Sequence, residues 1–313
     1  MMKIGPVEEK NEERSEEPRG VASGLKLDGN AVAKRIKAEV ARAVSELKGN
    51  GTTPGLTVLR VGNDPASELY VARKARACED VGIRSKTKVL SENVPIERLL
   101  EEIDRENADP RTSGILVQLP LPGGFDTQRV LERIDPRKDV DGFHPFNVGR
   151  VATGVGGFMP CTPKGILRLL EEYDIECRGR DVVVVGASRI VGRPMVGILM
   201  EREATVTVCQ KATRDLGFWT RQAEILIVAV GYANLVKPEM VRDGVIVVDV
   251  GINRVPDQRS RRGFRVVGDV HPGVREKARA WTPVPGGIGP MTVAMLLENT
   301  VLAARAQAEG VTV

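Results

Sequence analysis

The feature that most constrains this chain is the run DVVVVGASRIVGRP at 181–194: four consecutive valines, a glycine and a short polar turn. A strand apolar at successive positions buries both of its faces, as strands do in a parallel sheet covered by helices on either side. TVTVC (205–209), EILIVAVG (224–231) and VIVVDVGIN (245–253) repeat the pattern, and KGILRLLEEY (164–173) precedes them with helical periodicity. Parallel strands require crossover connections, so the series reads as βαβ units in a parallel sheet. RVVGDV (265–270) adds a further strand before TPVPGGIGP, and MTVAMLLENTVLAARAQAEG (291–310) has the spacing of a helix.

The first half alternates in the same way. LDGNAVAKRIKAEVARAVSELKG predicts a helix to about Leu47, stopped by Gly49 and Gly51, before the buried strand GLTVLRVG (55–62). NDPAS supplies turn and helix-start chemistry for the helix LYVARKARACEDVG (69–82). SKTKVL is a strand, PIERLLEEIDREN a helix, SGILVQLPLP a strand ending in a proline-rich turn, and DTQRVLERI a short helix. At 313 residues the chain is long enough for two α/β domains. The expected division is a catalytic domain over 24–148, completed by a C-terminal helix at 290–313, and a Rossmann-like domain over 149–289. The hinge falls near 145–162 and the return near 285–292. Residues 1–23, rich in Glu, Lys and Arg with almost no apolar pattern, read as a disordered tail.

Composition narrows the function. The net charge of +4 comes from 46 basic and 42 acidic residues, and aromatics make up 4%. That balance suits anionic small molecules but lacks the stacking platforms of single-strand binders, so no nucleic-acid partner is expected. The apolar runs fall far short of the ~20 residues of a membrane helix, and the N-terminus lacks the apolar core of a secretory signal. Cys78, Cys161, Cys177 and Cys209 are scattered without a C-x-x-C pair, and His144 and His271 are the only histidines. Reduced thiols in a cytoplasmic protein, with no metal site, are the expectation.

Strand, glycine turn and helix start at 181–194 is the setting in which a dinucleotide pyrophosphate meets a helix N-terminus. The match to G-x-G-x-x-G is imperfect: Gly186 is in place, Ser188 stands at the second glycine, and the later glycine is Gly192. A tight strand-to-helix turn explains the same residues. NAD-binding folds carry an acid near the end of the next strand for the ribose hydroxyls; TVTVCQKAT offers none and places Lys211 there. A lysine attracts a 2′-phosphate that a carboxylate would repel, and Arg189 and Arg193 add positive charge, which favours NADP. A solvated loop cation is the plain alternative for Lys211.

Several stretches together resemble the methylenetetrahydrofolate dehydrogenase/methenyltetrahydrofolate cyclohydrolase family. They are YVARKARACEDVG (70–82), GILVQLPLP (114–122), KDVDGFHPFNVGR (138–150), PCTPKGI (160–166), VVVGASRIVGRPM (183–195), VDVGIN (248–253) and TPVPGGIGPMTVAMLLENT (282–300). The resemblance spans the chain from about Leu25. It implies a two-domain α/β subunit with the active cleft between the domains and a homodimer formed through the nucleotide domains. It also implies NADP-dependent oxidation of 5,10-methylenetetrahydrofolate to the methenyl form, followed by hydrolysis to 10-formyltetrahydrofolate. The family's catalytic lysine falls on Lys74, its stacking tyrosine on Tyr70, its lysine-supporting glutamine on Gln118 and its pterin-anchoring aspartate on Asp141. Pro285, Gly286 and Gly287 fall in the loop that lines the folate cleft. Gly186, Ala187, Ser188, Arg189, Ile190, Gly192, Lys211, Val230, Gly231 and Ile252 fall on the cofactor side.

Each assignment has a physical rationale beside a plainer one. Tyr70 and Lys74, four apart on a helix, share a face, although cations on helices are commonly solvated. Asp141 suits the pterin's N–H donors, but Asp-Gly is also a turn former; Gln118 suits the lysine, but also a satisfied strand-end amide. Asp139 reads as structural, and Arg73 and Arg76 as surface cations. Hydride transfer needs mainly positioning. Hydrolysis needs a proton taken from water and one given to the ring nitrogen, which an amine manages when burial and neighbouring cations ease its proton loss. A dehydrogenase without the hydrolytic step and a silent NADP-binding protein are the rival readings.

Overall fold

A computed structural model describes residues 24–260 and 263–313. The expected tail at 1–23 lies outside the described residues. In chain order the elements are β1 (Leu25–Lys26), α1 (Gly29–Gly49), β2 (Gly55–Val61), α2 (Pro65–Val81), β3 (Arg84–Leu90), α3 (Ile96–Ala108), β4 (Gly114–Val117) and α4 (Thr127–Arg133). There follow α5 (Pro145–Ala152), α6 (Cys161–Glu171), β5 (Asp181–Val185), α7 (Gly192–Glu201), β6 (Thr205–Cys209), α8 (Leu216–Thr220) and β7 (Ile225–Val228). The chain closes with β8 (Ile246–Asp249), β9 (Asn253–Pro256), β10 (Phe264–Val267), β11 (Ala280–Trp281) and α9 (Ile288–Glu309).

Two parallel sheets result, one of order β3-β2-β4 and one of order β1-β11-β8-β7-β5-β6. The consecutive apolar residues of β5, β7 and β8 behave as their pattern requires, whereas TVTVC, expected to be buried on both faces, forms the edge strand β6 with Val208 exposed, because nothing among the described residues pairs beyond it. Val182, Val184, Ile225 and Ile227 pack on one face of the larger sheet, while Val183, Val185, Leu226 and Val228 pack on the other. In the smaller sheet Leu56, Val58 and Leu116 join the same central core as Val182, and Leu59, Ile115 and Val117 meet Leu99, Ile103 and Val130 of α3 and α4. The central core runs through α1, α6 and α9, which bind the two sheets into one body. At the α6–α9 crossing, a side chain at Gly165 would place its Cβ 3.0 Å from Met291 Cβ, so the helices approach closely because a glycine stands there.

Helix starts follow their caps. Asp64 caps α2 by accepting from Ser67 N (2.7 Å) with Pro65 in the first turn, so the helix begins four residues before Leu69. Asp28 accepts from Ala31 N (3.1 Å), so α1 begins at Gly29, runs through Gly49 and ends at Asn50.

Three features differ from the sequence reading. Leu25–Lys26 crosses to the larger sheet and pairs with β11 instead of opening the first domain's fold. VIVVDVGIN breaks after Asp249, and its tail pairs antiparallel with Phe264–Val267 as a two-stranded arm outside the parallel sheet. The expected hinge near 145–162 contains a helix, α5, whose start is capped by His144 Nδ1 accepting from Phe146 N (3.0 Å).

Candidate active site

The catalytic candidates gather where β2 and β4 end. Gln118 continues β4, and its backbone N–H donates to Leu59 O (2.8 Å). The side-chain amide is fixed at both ends: Nε2 donates to Leu119 O (2.7 Å), leaving Oε1 to accept from Lys74 Nζ (3.1 Å). Tyr70 lies one turn earlier on α2, and both Tyr70 and Lys74 are half-buried, while Arg73 and Arg76 on the same helix are exposed. The backbone turns away after Gln118 through a cis Leu119–Pro120 bond.

Asp141 faces the same region from the strap that leaves the first sheet. It is half-buried; burial pushes its carboxyl pKa up, the Lys74 charge pulls it back down, and Asp139 pushes it up. Asp139 is 1% exposed and accepts from His144 N (2.8 Å), Phe143 N (3.2 Å) and Asn147 Nδ2 (2.9 Å), a set of bonds that holds the strap's turn.

The loop Pro285–Gly287 leads into α9, which begins at Ile288. Gly286 has φ +107 and its carbonyl accepts from Asn30 N (3.1 Å), while a Cβ at Gly29 would lie 1.8 Å from Gly287 O. The loop is thus seated on the first turn of α1, with Val284–Pro285 in cis.

The nucleotide candidates form a second group at the carboxyl ends of β5, β6 and β7. Gly186 has φ +112, and a Cβ there would lie 2.2 Å from Ala229 O; a Cβ at Gly192 would lie 1.9 Å from Gly186 O. The strand, turn and helix can pack this tightly only without side chains at both positions, which is the cradle a pyrophosphate needs. Ser188 Oγ accepts from Val191 N (3.2 Å) and Gly192 N (3.4 Å), taking the place of the missing second glycine by closing the turn with its hydroxyl. Ala187 is half-buried, and Arg189 and Ile190 are exposed on the rim. Arg193 Nε donates back to Ala187 O (3.1 Å), and Arg189 donates across the cleft to Gln128 Oε1 of α4 (3.1 Å). Lys211 is exposed just beyond β6, beside the Gly186 turn that donates to Cys209 O (2.8 Å). Val230, Gly231 and Ile252 are exposed on the loops after β7 and β8.

The sequence reading missed what holds those last loops. Asp269 is fully buried and its Oδ2 accepts from Val230 N (2.7 Å) and Gly231 N (2.9 Å), while Oδ1 accepts from Asn253 Nδ2 (2.8 Å). Asp249 accepts from Gly251 N (2.9 Å), Asp269 N (2.9 Å) and Val270 N (3.0 Å). Burial pushes the Asp249 carboxyl up to about 6 against those backbone donors, with Asp269 adding to the rise. The signal available was an acid closing an otherwise apolar strand, in VVDVG and again in VVGDV. All four cysteines are buried free thiols; burial pushes Cys78 up to about 12, and raises Cys161, Cys177 and Cys209 as well.

Comparison with known proteins shows the family and the fold. The model of the tetrahydrofolate dehydrogenase/cyclohydrolase catalytic domain matches residues 27–141, and that of the family's NAD(P)-binding domain matches 160–308. The bifunctional protein FolD 1 of Myxococcus xanthus is 53% identical over 283 residues, covering 89% of this chain and 97% of that protein. The crystal structure of the bifunctional FolD dehydrogenase/cyclohydrolase from Campylobacter jejuni superposes with a TM-score of 0.86 at 49% identity, covering 90% and 98% of the two chains. The Trypanosoma brucei dehydrogenase-cyclohydrolase, solved with NADP and an inhibitor, gives 0.87 at 37% identity, covering 91% and 98%. The chain belongs to the tetrahydrofolate dehydrogenase/cyclohydrolase family.

Proposed function

We propose that the protein oxidises 5,10-methylenetetrahydrofolate to 5,10-methenyltetrahydrofolate with NADP and then hydrolyses the product to 10-formyltetrahydrofolate. The observation that carries this reading is the Lys74–Gln118 hydrogen bond, in a chain of this family whose Gly186–Gly192 turn leaves no room for side chains at its two glycines. Tyr70 offers its ring face to the flat pterin and p-aminobenzoate system, and Asp141 accepts from the pterin amino and ring N–H groups. Gly186, Ala187, Ser188, Arg189, Ile190 and Gly192 form the seat of the cofactor's phosphates, with Lys211 beside the 2′-phosphate, and Val230, Gly231 and Ile252 on the loops beyond. NADP held there would supply the hydride acceptor for the methylene bridge. The protein's contribution to that step is alignment of the two rings and exclusion of water.

In hydrolysis Lys74 Nζ takes the proton that water loses as it adds to the methenyl carbon. As the C–N5 bond breaks, the carbinol O–H gives its proton to solvent and becomes the formyl C=O, and the same amine returns the first proton to N5. Gln118, its amide locked by Leu119 O, holds the amine on this path. Lys74→Met is expected to abolish cyclohydrolase turnover while leaving some dehydrogenase turnover. Both are read from NADPH and methenyltetrahydrofolate absorbance, and hydrolysis near the normal rate would remove Lys74 from this role.

The reading extends to organisation. The division is into a catalytic part, 24–148 with the 290–313 helix, and a nucleotide part, 149–289; the family models at 27–141 and 160–308 support it. A homodimer through the nucleotide domains and a cytoplasmic setting complete it; four buried free thiols suit a reducing compartment. No helix among the described residues is long and apolar enough to cross a membrane.

A further inference from the structure

The strap that carries Asp141 is tied down by a polar cluster that takes no part in the chemistry above. Asn299, on α9 and 1% exposed, donates through Nδ2 to Val140 O (2.9 Å) and to Met159 O (3.1 Å). Val140, the residue before Asp141, and Met159 lie on either side of α5 in the one connection that runs from β4 to α6. One amide group therefore bonds both ends of that α5-bearing segment. Cys161 Sγ donates to the same Val140 carbonyl (3.3 Å). The strap lies flat against the segment that enters α6: Gly142 has φ +74, and a Cβ there would lie 2.5 Å from Phe158 O and 2.7 Å from Pro160 N.

An asparagine amide can bond two carbonyls only if its nitrogen faces them. Turned over, it would set Oδ1 against two carbonyl oxygens. Lys164 Nζ, on α6, donates to Asn299 Oδ1 (2.8 Å) and lies 3.6 Å from Glu298 Oε2. An ammonium has donors only, so it selects the orientation in which oxygen faces Lys164 and nitrogen faces the Val140 and Met159 carbonyls. The lysine is half-buried, which strengthens that selection relative to a solvated contact.

We infer that Asn299, oriented by Lys164, is a positioning residue that sets Asp141 against the Lys74–Gln118 pair. Neither side chain touches substrate; both act through the backbone next to Asp141. This rests on the reading of Asp141 as the folate anchor. A displaced anchor weakens folate binding in both activities and leaves the cofactor's seat, on the far side of the cleft, as it was.

The test is steady-state kinetics of the full-length protein with Asn299→Ala, Lys164→Met, Lys164→Arg and Asp141→Asn, beside thermal unfolding of each. Loss of buried hydrogen bonds of this kind is expected to raise KM for methylenetetrahydrofolate about tenfold in Asn299→Ala. Lys164→Met should show a smaller rise in the same direction, with KM for NADP unchanged and Lys164→Arg restoring most of the effect. A lowered unfolding temperature with folate KM at the normal value in both variants overturns the inference and leaves a purely structural cluster. Equal rises in both KM values overturn it as well, since they mean loosened packing between the sheets. If Asn299→Ala fails to fold, Lys164→Met decides by the same criteria. Should Asp141→Asn raise folate KM while the other variants do not, only the positioning role falls. If Asp141→Asn leaves it unchanged, the anchor reading falls and this inference with it.

Discussion

Lys74, Arg73 and Arg76 occupy one stretch of α2, yet only Lys74 is half-buried and held by a second side chain. Helical spacing placed Tyr70 and Lys74 on one face; what distinguishes Lys74 from its neighbours is Gln118, forty-four positions away. The orientation of that glutamine comes from Leu119 O, a backbone atom set by the turn that follows. Lys211 is a residue-scale question too. It is exposed beside the Gly186 turn, where no acid occupies the end of β6. Replacing it with alanine is expected to weaken NADP by about 1–2 kcal/mol, the scale of one charge-assisted contact, and NAD much less. Dissociation constants for the two cofactors check this, and equal losses would take Lys211 away from the 2′-phosphate.

At the scale of elements, single buried carboxylates join segments that the hydrophobic pattern treats separately. Glu106, on α3 and 1% exposed, meets Lys86 Nζ (2.8 Å) and Lys88 Nζ (2.7 Å) of β3 and the hydroxyls of Thr57 on β2 (2.7 Å) and Thr112 (2.8 Å). Burial pushes its carboxyl up, but these four partners outweigh it and hold the pKa at about 2. The folded value lies below the unfolded one, so the stabilisation is present above the ordinary glutamate range and is lost as pH falls towards 2. Glu106→Gln is expected to cost about 2 kcal/mol at neutral pH and much less at pH 3. Urea unfolding at the two pH values measures it; a cost independent of pH would show that charge is not what Glu106 contributes. Asp269 and Asp249 do the comparable service for the loops at 229–231 and 250–253, fixing backbone that presents Val230, Gly231 and Ile252. Those loops owe their shape to acids that α/β alternation does not predict.

On the scale of the whole molecule, α1, α6 and α9 carry one apolar core between the two sheets. The Arg189–Gln128 bond joins the turn after β5 to α4 of the first half. The two-stranded arm β9–β10 stands apart from both sheets. If the proposed homodimer forms, sedimentation equilibrium should give about twice the 34.0 kDa of one chain, whereas a monomer mass across micromolar concentrations would refute it.

The sequence by itself determined the larger parallel sheet, because consecutive apolar residues on β5, β7 and β8 can be buried in few other ways. It also determined the glycine turn at 186–192, where a Cβ has no room, and the helices whose periodicity and caps are local. Family motifs, rather than spacing, brought Tyr70, Lys74, Gln118 and Asp141 together as candidates. Only the tertiary structure decided that Leu25–Lys26 joins the distant sheet, that VIVVDVGIN breaks into a separate arm, and which acids and amides hold the loops. Those outcomes depend on backbone N–H and C=O groups left over where elements end. Their partners lie far along the chain, and are chosen by which buried polar groups would otherwise go unpaired.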